Sequence, residues 1–236
     1  MNKEDLELKV VYEDNHIIVV IKPQNIPSQG DSSNDMDMLN IVKKYIKEKY
    51  NKPGNVYVGL VHRLDRPTGG LMVFAKTSKA ASRLSESIKN DEFTKKYLAV
   101  LVGKAKYDEN TLINYLKKDN KENIVRVVPQ LEEGAKYAEL KYRTLDFNSK
   151  LSLVEIELRT GRSHQIRVQF SSIGNPVFGD VKYGGDIVKG YNLALWSYKL
   201  SFEHPISKQP LNFVCYPPCE ETPWKHFKVE VLLNKN

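Results

Sequence analysis

Short runs of β-branched and aromatic residues alternate with polar turns along most of the chain, and three stretches instead carry apolar residues at helical spacing. VVYEDNHIIVVIKP reads as two strands around Glu13-Asp14-Asn15, with Pro23 closing the second. QNIPSQGDSSND breaks regular structure. Leu39, Val42 and Ile46 then recur through DMLNIVKKYIKEKY as an amphipathic helix stopped by Pro53-Gly54. NVYVGLVH and LMVFAK read as strands on either side of RLDRPTGG, which puts the polar residues of that motif at a bend. Thr77 or Ser78 caps a second helix with Ala81, Leu84 and Ile88 along one face.

FTKKYLAVLVGK predicts a strand, and Lys106 to Asn123 a polar excursion between strands. AELKYRTLDF and LSLVEIELRT alternate as an antiparallel pair around Asn148-Ser149-Lys150. In GRSHQIRVQFSSIGNP, Ser163 as a cap, the spacing of Ile166, Phe170 and Ile173, and Gly174 before Pro176 predict a three-turn helix. LALWSYKLSF and LNFVCYP finish as strands around a loop from His204 to Gln209. Strands outnumber helices and neighbours are hairpin-like, so the expected class is α+β, one domain over residues 1–236 with a large mixed, mostly antiparallel sheet.

Composition adds limits. With 236 residues, 41% of them hydrophobic, the chain can bury a substantial core. It has no apolar run of about 18 residues to span a bilayer. MNKEDLELKV is too charged for a secretory signal, so a cytoplasmic protein is expected. Cys215 and Cys219 have no metal-spaced companions and are expected to be free thiols, and no metal site is expected. The net charge of +7 is unevenly spread: residues 1–60 carry 8 basic and 9 acidic side chains, residues 61–106 carry 10 and 4, and the rest carry 18 and 16. The excess therefore surrounds HRLDR, the arrangement expected where a polyanion binds, or a set of lysines such as Lys89 and Lys104 that only solvates the surface.

Four elements can carry chemistry: HRLDR at 62–66, KKY at 95–97, TGRSHQIR at 160–167 and FGDVKYG at 178–184. No GxxxxGK, GxGxxG, HExxH or GxSxG motif is present, so no nucleotide cofactor is expected. Asp65 lies between Arg63 and Arg66; it is either a structural ion pair in a turn or a carboxylate held ionised for use as nucleophile or base. Thr-Gly-Arg-Ser at a helix start, with Arg162, suits a phosphate, or is an ordinary capped helix. Arg167 falls away from the apolar stripe and is expected to reach into a cleft. Tyr97 beside two lysines is a half-buried strand residue or a platform for an unpaired base. His62 and His164 are expected to be structural.

At these residues the sequence resembles the RluA-type RNA pseudouridine synthases, through EDNHIIVVIKP, GLVHRLDRPTGGLMVFAKT, FTKKYLAV, RTGRSHQIRVQFSSIGNPVFGDVKYG and LSFEHPISKQPLNF in that order. The resemblance implies their fold, with a central RNA-binding cleft, and isomerisation of uridine in rRNA or tRNA without metal or organic cofactor. It implies Asp65 as the catalytic aspartate, Tyr97 as the active-site tyrosine and Arg167 as the arginine paired with the aspartate. Arg63 is implied to help open the RNA, with Arg66 and Arg162 as further substrate contacts. Two departures stand beside these segments: Gly69-Gly70 where many relatives have a serine, and Trp196-Ser197 where many have histidine and alanine. No room is expected for the S4-type RNA-binding domain that often precedes this catalytic domain, and a monomer is expected. A catalytically silent RNA-binding protein is the alternative; a base-releasing glycosidase is weaker, since such enzymes usually need two carboxylates.

Overall fold

The computed structural model describes residues 7–31, 35–184 and 190–234. Residues 32–34, within the QNIPSQGDSSND break, lie outside these. The chain divides into two compact units, the first from residues 1–94 and 199–215, the second from 95–198 and 216–236.

In the first unit the expected hairpin is present, β1 (Lys9–Glu13) pairing antiparallel with β2 (Ile17–Lys22). β2 then pairs antiparallel with β4 (Gly69–Ala75), from Ile17↔Ala75 to Lys22↔Gly70. All seven residues of β4 are buried, so this is a strand without a solvent face. The strand expected before the HRLDR bend is shorter than its pattern suggested. Only β3 (Gly59–Leu60) pairs with β4, and Val61 onward leaves the ladder. β10 (Leu195–Glu203) carries the chain from one unit to the other, and its end pairs antiparallel with β11 (Pro210–Val214).

Helix α1 (Met38–Lys49) starts at Asp37, whose carboxylate accepts the Asn40 N–H at 3.1 Å. It buries Met38, Ile41, Val42 and Ile46, while Leu39 is only half-buried. α2 (Ser78–Lys89) is capped by Thr77 and buries Ala80 and Leu84 against Ile17, Val19, Leu71, Val73, Leu200 and Phe202. That cluster holds β2 and β4 as a rigid floor beneath the HRLDR bend.

The second unit orders its strands β5 (Thr94–Val102), β9 (Leu151–Leu158), β8 (Lys136–Phe147), β6 (Glu109–Asp119) and β7 (Ile124–Val128), each pair antiparallel. The β8–β9 hairpin turns where expected, with Ser149 at φ 68. The expected polar excursion at 106–123 is instead mostly β6, an 11-residue strand. The face that buries Leu112 and Leu116 also carries the half-buried polar Asn110 and Asn114, which hides the period. Gln169, fully buried, resolves the polarity by donating to the Leu112 carbonyl at 3.1 Å and to Asn114 Oδ1 at 2.8 Å.

Helix α3 (Gln165–Ser172) packs on this sheet through Phe170, whose ring meets Tyr142 edge-on at 5.2 Å. It is shorter than expected: Ile173 lies beyond its end and is 43% exposed. A last helix, α4 (Val229–Asn234), contacts β8. No helix among the described residues is long and apolar enough to cross a membrane.

Candidate active site

The HRLDR bend is fastened on every side. His62 Nε2 accepts the Val73 N–H at 3.0 Å, which places the ring's proton on Nδ1 in the neutral form, and the ring packs 5.9 Å from Phe93. His62 is thus structural, as its sequence context suggested. Ser28 Oγ donates to the Leu64 carbonyl at 2.7 Å and accepts the Leu64 N–H at 3.0 Å. The Thr68 N–H closes a turn onto the Asp65 carbonyl at 3.0 Å, the Asn25 N–H donates to the Arg66 carbonyl at 2.8 Å, and Gln24 Nε2 donates to the Pro67 carbonyl at 3.0 Å. Leu64 and Thr68 are buried, Asp65 and Arg66 half-buried, and Arg63 exposed.

Arg66 is drawn to a different loop from the one its neighbour suggested: its Nη2 lies 2.7 Å from Asp35 and 3.5 Å from Asp31. The cation buried beneath Asp65 is Lys22, which sequence reasoning passed over. Its side chain is fully buried, and Nζ donates to the carbonyls of Pro23 at 2.9 Å, Ile26 at 2.6 Å and Arg66 at 3.0 Å. Burial pulls this ammonium from 10.5 down to about 7; the Asp65 carboxylate works against that and the Arg66 guanidinium adds to it. A signal was available, since strand alternation puts Lys22 on the same face as Ile18 and Val20, both fully buried.

The other three candidates belong to the second unit. Tyr97 lies in β5, 5% exposed rather than half-buried, opposite Ile156 in the register. The start of α3 differs from expectation. Ser163 is not the cap; His164 holds that position at φ 52 and makes no side-chain capping bond. Nor is the Thr160–Ser163 segment an open phosphate cradle. Gln165 Oε1 accepts the Arg162 N–H at 3.0 Å and the Thr160 hydroxyl at 2.8 Å, and Gln165 Nε2 donates to the Glu139 carbonyl at 3.0 Å. The Arg162 side chain is exposed and donates from Nε to the Tyr137 carbonyl at 2.8 Å.

Arg167 is 5% exposed and forms a bidentate pair with Asp180, Nε to Oδ2 at 2.8 Å and Nη2 to Oδ1 at 2.7 Å. Its guanidinium lies 5.1 Å from the Tyr183 ring centre. The Tyr183 hydroxyl accepts the Val125 N–H at 2.8 Å and meets His164 Nδ1 at 2.7 Å, so FGDVKYG serves as the support for this arginine. Asp180 also takes the backbone N–H groups of Lys182 and Tyr183, at 3.0 and 3.1 Å. A cavity of about 450 Å³ elsewhere in the unit, lined by Val102, Leu151, Phe178 and His226 among others, contains none of these residues.

The first unit thus carries an aspartate on a braced bend, and the second carries a buried tyrosine on β5 and an arginine locked on a short helix. Residues 16–172 match the family model for RNA pseudouridylate synthase, and the chain belongs to that family, whose members isomerise uridine to pseudouridine. It is 32% identical over 225 residues to the ribosomal large subunit pseudouridine synthase D of Vibrio parahaemolyticus, covering 89% of this chain and 67% of that protein. It is 36% identical over 187 residues to the mitochondrial tRNA pseudouridine(32) synthase of Saccharomyces cerevisiae, covering 79% of this chain and 39% of that one. Among solved structures, human RNA pseudouridylate synthase domain containing 4 superposes with a TM-score of 0.76 at 22% identity, covering 92% of this chain and 90% of that one, which shows the fold.

Proposed function

We propose that this chain converts particular uridines of structured RNA, rRNA or tRNA, to pseudouridine, with Asp65 as the reacting carboxylate. The observation that carries the reading is the bracing of the bend: six backbone groups from Leu64 to Thr68 are bonded to Ser28, Asn25, Gln24, Lys22 or one another, while the Asp65 side chain stays half-buried. Such fixation keeps a reacting group within the narrow geometry that chemistry demands.

Uracil cannot turn inside a base stack, so the nucleotide must be flipped out at a cost of a few kcal/mol, offset by contacts to the backbone and to the gap it leaves. Exposed Arg63 suits that gap, because its planar head can both stack and hydrogen-bond. Arg66 and Arg162 are further substrate contacts on this reading. Asp65 then either adds to C1′ as the N1–C1′ bond breaks, the bond's electron pair leaving on the uracil, or removes a sugar proton. The detached base turns and C5 bonds C1′, displacing the Asp65 carboxylate on the first route or with return of the sugar proton from Asp65 on the second; loss of the C5 proton with protonation of N1 completes the isomerisation. Tyr97 packs the base and assists loss of that proton; Arg167 steadies negative charge. RNA is the partner, and the protein works as a monomer in the cytoplasm without a nucleotide cofactor.

Tritium release from 5-tritiated uridine in transcribed RNA tests this directly. Wild type is expected to release label, and Asp65→Asn to be slower by about 10⁴-fold or more while still binding RNA. Release by Asp65→Asn at the wild-type rate would end the assignment.

A further inference from the structure

The segment from Met38 to Lys52 carries five lysines, at 43, 44, 47, 49 and 52, against one acid, Glu48. The near-neutral balance of residues 1–60 conceals this, because their acids lie almost entirely before the helix. Lys49 is committed to Glu13 at 2.6 Å, and Lys44 approaches Glu48 only at 4.0 Å with both side chains more than 60% exposed. A helix gains from lysines in its last turn, which accounts for Lys47 and Lys49. It does not gain from Lys43 and Lys47 one turn apart, or from Lys44 beside Lys47, where like charges repel by about 0.2–0.5 kcal/mol a pair. Two aromatic rings stand in the same region, Tyr50 at 46% and Tyr57 at 50% exposure, with Lys52 Nζ 5.9 Å from the Tyr50 ring centre. Solvated cations interleaved with exposed rings match nucleic acid better than they match a protein core.

The position of this face is fixed relative to the candidate site. The Met38 and Leu39 N–H groups bond the carbonyls of Pro27 and Ser28, and the Ser28 hydroxyl bonds Leu64, next to Asp65. α1 therefore starts at the braced bend and runs outward for 12 residues, about 18 Å. Along a duplex that distance is about five base pairs.

We propose that the lysine face of α1, continued to Tyr57, is a second RNA-binding surface that takes the phosphate backbone of the duplex flanking the target uridine. This rests on the RNA-modifying function proposed above. It makes affinity depend on a stem, which needs about two to four base pairs to reach Lys43, Lys44 and Lys47, five to nine residues into the helix.

The test uses the full chain and a Lys43→Gln, Lys44→Gln, Lys47→Gln triple variant, glutamine being a good helix former. A long hairpin RNA, with a stem of about 12 base pairs, and an unpaired oligonucleotide of its loop sequence, both fluorescent, are titrated between roughly 50 and 200 mM salt. For the long hairpin the Kd is expected to rise about tenfold or more, and the slope of log K against log salt to shrink by about 3, one per lost phosphate contact. The unpaired oligonucleotide is expected to bind both proteins alike. Equal weakening on both RNAs, or none on either, overturns the proposal. Loss of binding to vesicles of anionic lipid with RNA binding intact also overturns it, and reassigns the face to a membrane surface. Wild type that binds the long hairpin through these lysines but releases no tritium from uridine-labelled transcripts refutes the catalytic reading and leaves this surface standing.

Discussion

Replacing Lys22 by Met keeps the length of the side chain and removes its charge, and two terms of similar size then compete. At pH 7 a lysine held at about 7 instead of 10.5 lowers the stability of the folded state by about 4 kcal/mol, which Met relieves. Against this, the carbonyls of Pro23 and Ile26 lose their donor, at about 1–3 kcal/mol each while they stay buried, whereas the Arg66 carbonyl keeps the Asn25 N–H. Taking about 2 for each, the two terms cancel, and Lys22→Met should match wild type to within about 1 kcal/mol at pH 7. The pH dependence separates the terms. The folded pKa lies below the unfolded one, so between about 7 and 10.5 the unfolded chain binds more protons and stability rises with pH. Wild type should gain about 2 kcal/mol from this group between pH 7 and pH 9, and the variant should not. A deficit of Lys22→Met, read from urea unfolding, therefore opens from near zero at about pH 7 to about 2 kcal/mol at about pH 9. Tritium release should fall about tenfold or more, because the Arg66 carbonyl keeps only one of its two anchors. Parallel stability curves for the two proteins across this range would refute the reasoning, whatever the activity.

Glu13 gives the opposite pH signature. Burial alone would raise its carboxyl, but hydrogen bonds from Lys49, Lys76 and Tyr50 outweigh it and bring the group down to about 2. A depressed carboxyl stabilises above its ordinary 4.5 and loses that contribution as pH falls towards 2, so wild type should lose up to about 2 kcal/mol in that window after solvent screening, and Glu13→Gln should not. Acid-range urea melts decide, and equal losses in both proteins would sink the claim. In the second unit, Asp180→Asn removes the carboxylate that takes the Nε and Nη2 donors of the buried Arg167, and should destabilise by about 3–5 kcal/mol. A melt shift equivalent to less than about 1 kcal/mol would show that the pair does not hold this part of the fold.

Strand alternation and capping residues made the hairpin, α1, α2, β5 and the β8–β9 pair legible, because each is decided by local apolar spacing and by its turn. β6 was illegible for a physical reason: the polar Asn110 and Asn114 share the face of Leu112 and Leu116, and Asn114 is taken up by Gln169, more than fifty residues later. The start of α3 misled in the same way. Ser163 has the chemistry of a cap, yet the Gln165 side chain takes the loop's donors and His164 enters the left-handed region, choices imposed by contacts to Glu139 and Tyr183. The two glycines that depart from many relatives separate on backbone grounds. Gly70 sits at φ 115, where a serine would be strained, whereas Gly69 has no such φ.

The arginines beside Asp65 pose the question of which cations surround that carboxylate, and the first unit adds one that covalent proximity does not suggest. A charge one residue away points wherever the turn sends it, and this turn sends Arg66 towards Asp35 and leaves Arg63 in solvent. Lys22 is forty-three residues away in sequence, but strand pairing brings it opposite Gly70, directly under the bend. An ammonium enclosed there is screened by salt far less than an exposed guanidinium. Its three carbonyl acceptors fix both its position and the backbone that carries Asp65. Lys22 thus holds the backbone that carries Asp65 and sets a buried cation near its carboxylate. Arg63 stays exposed on the same bend, as its proposed entry into an RNA stack requires.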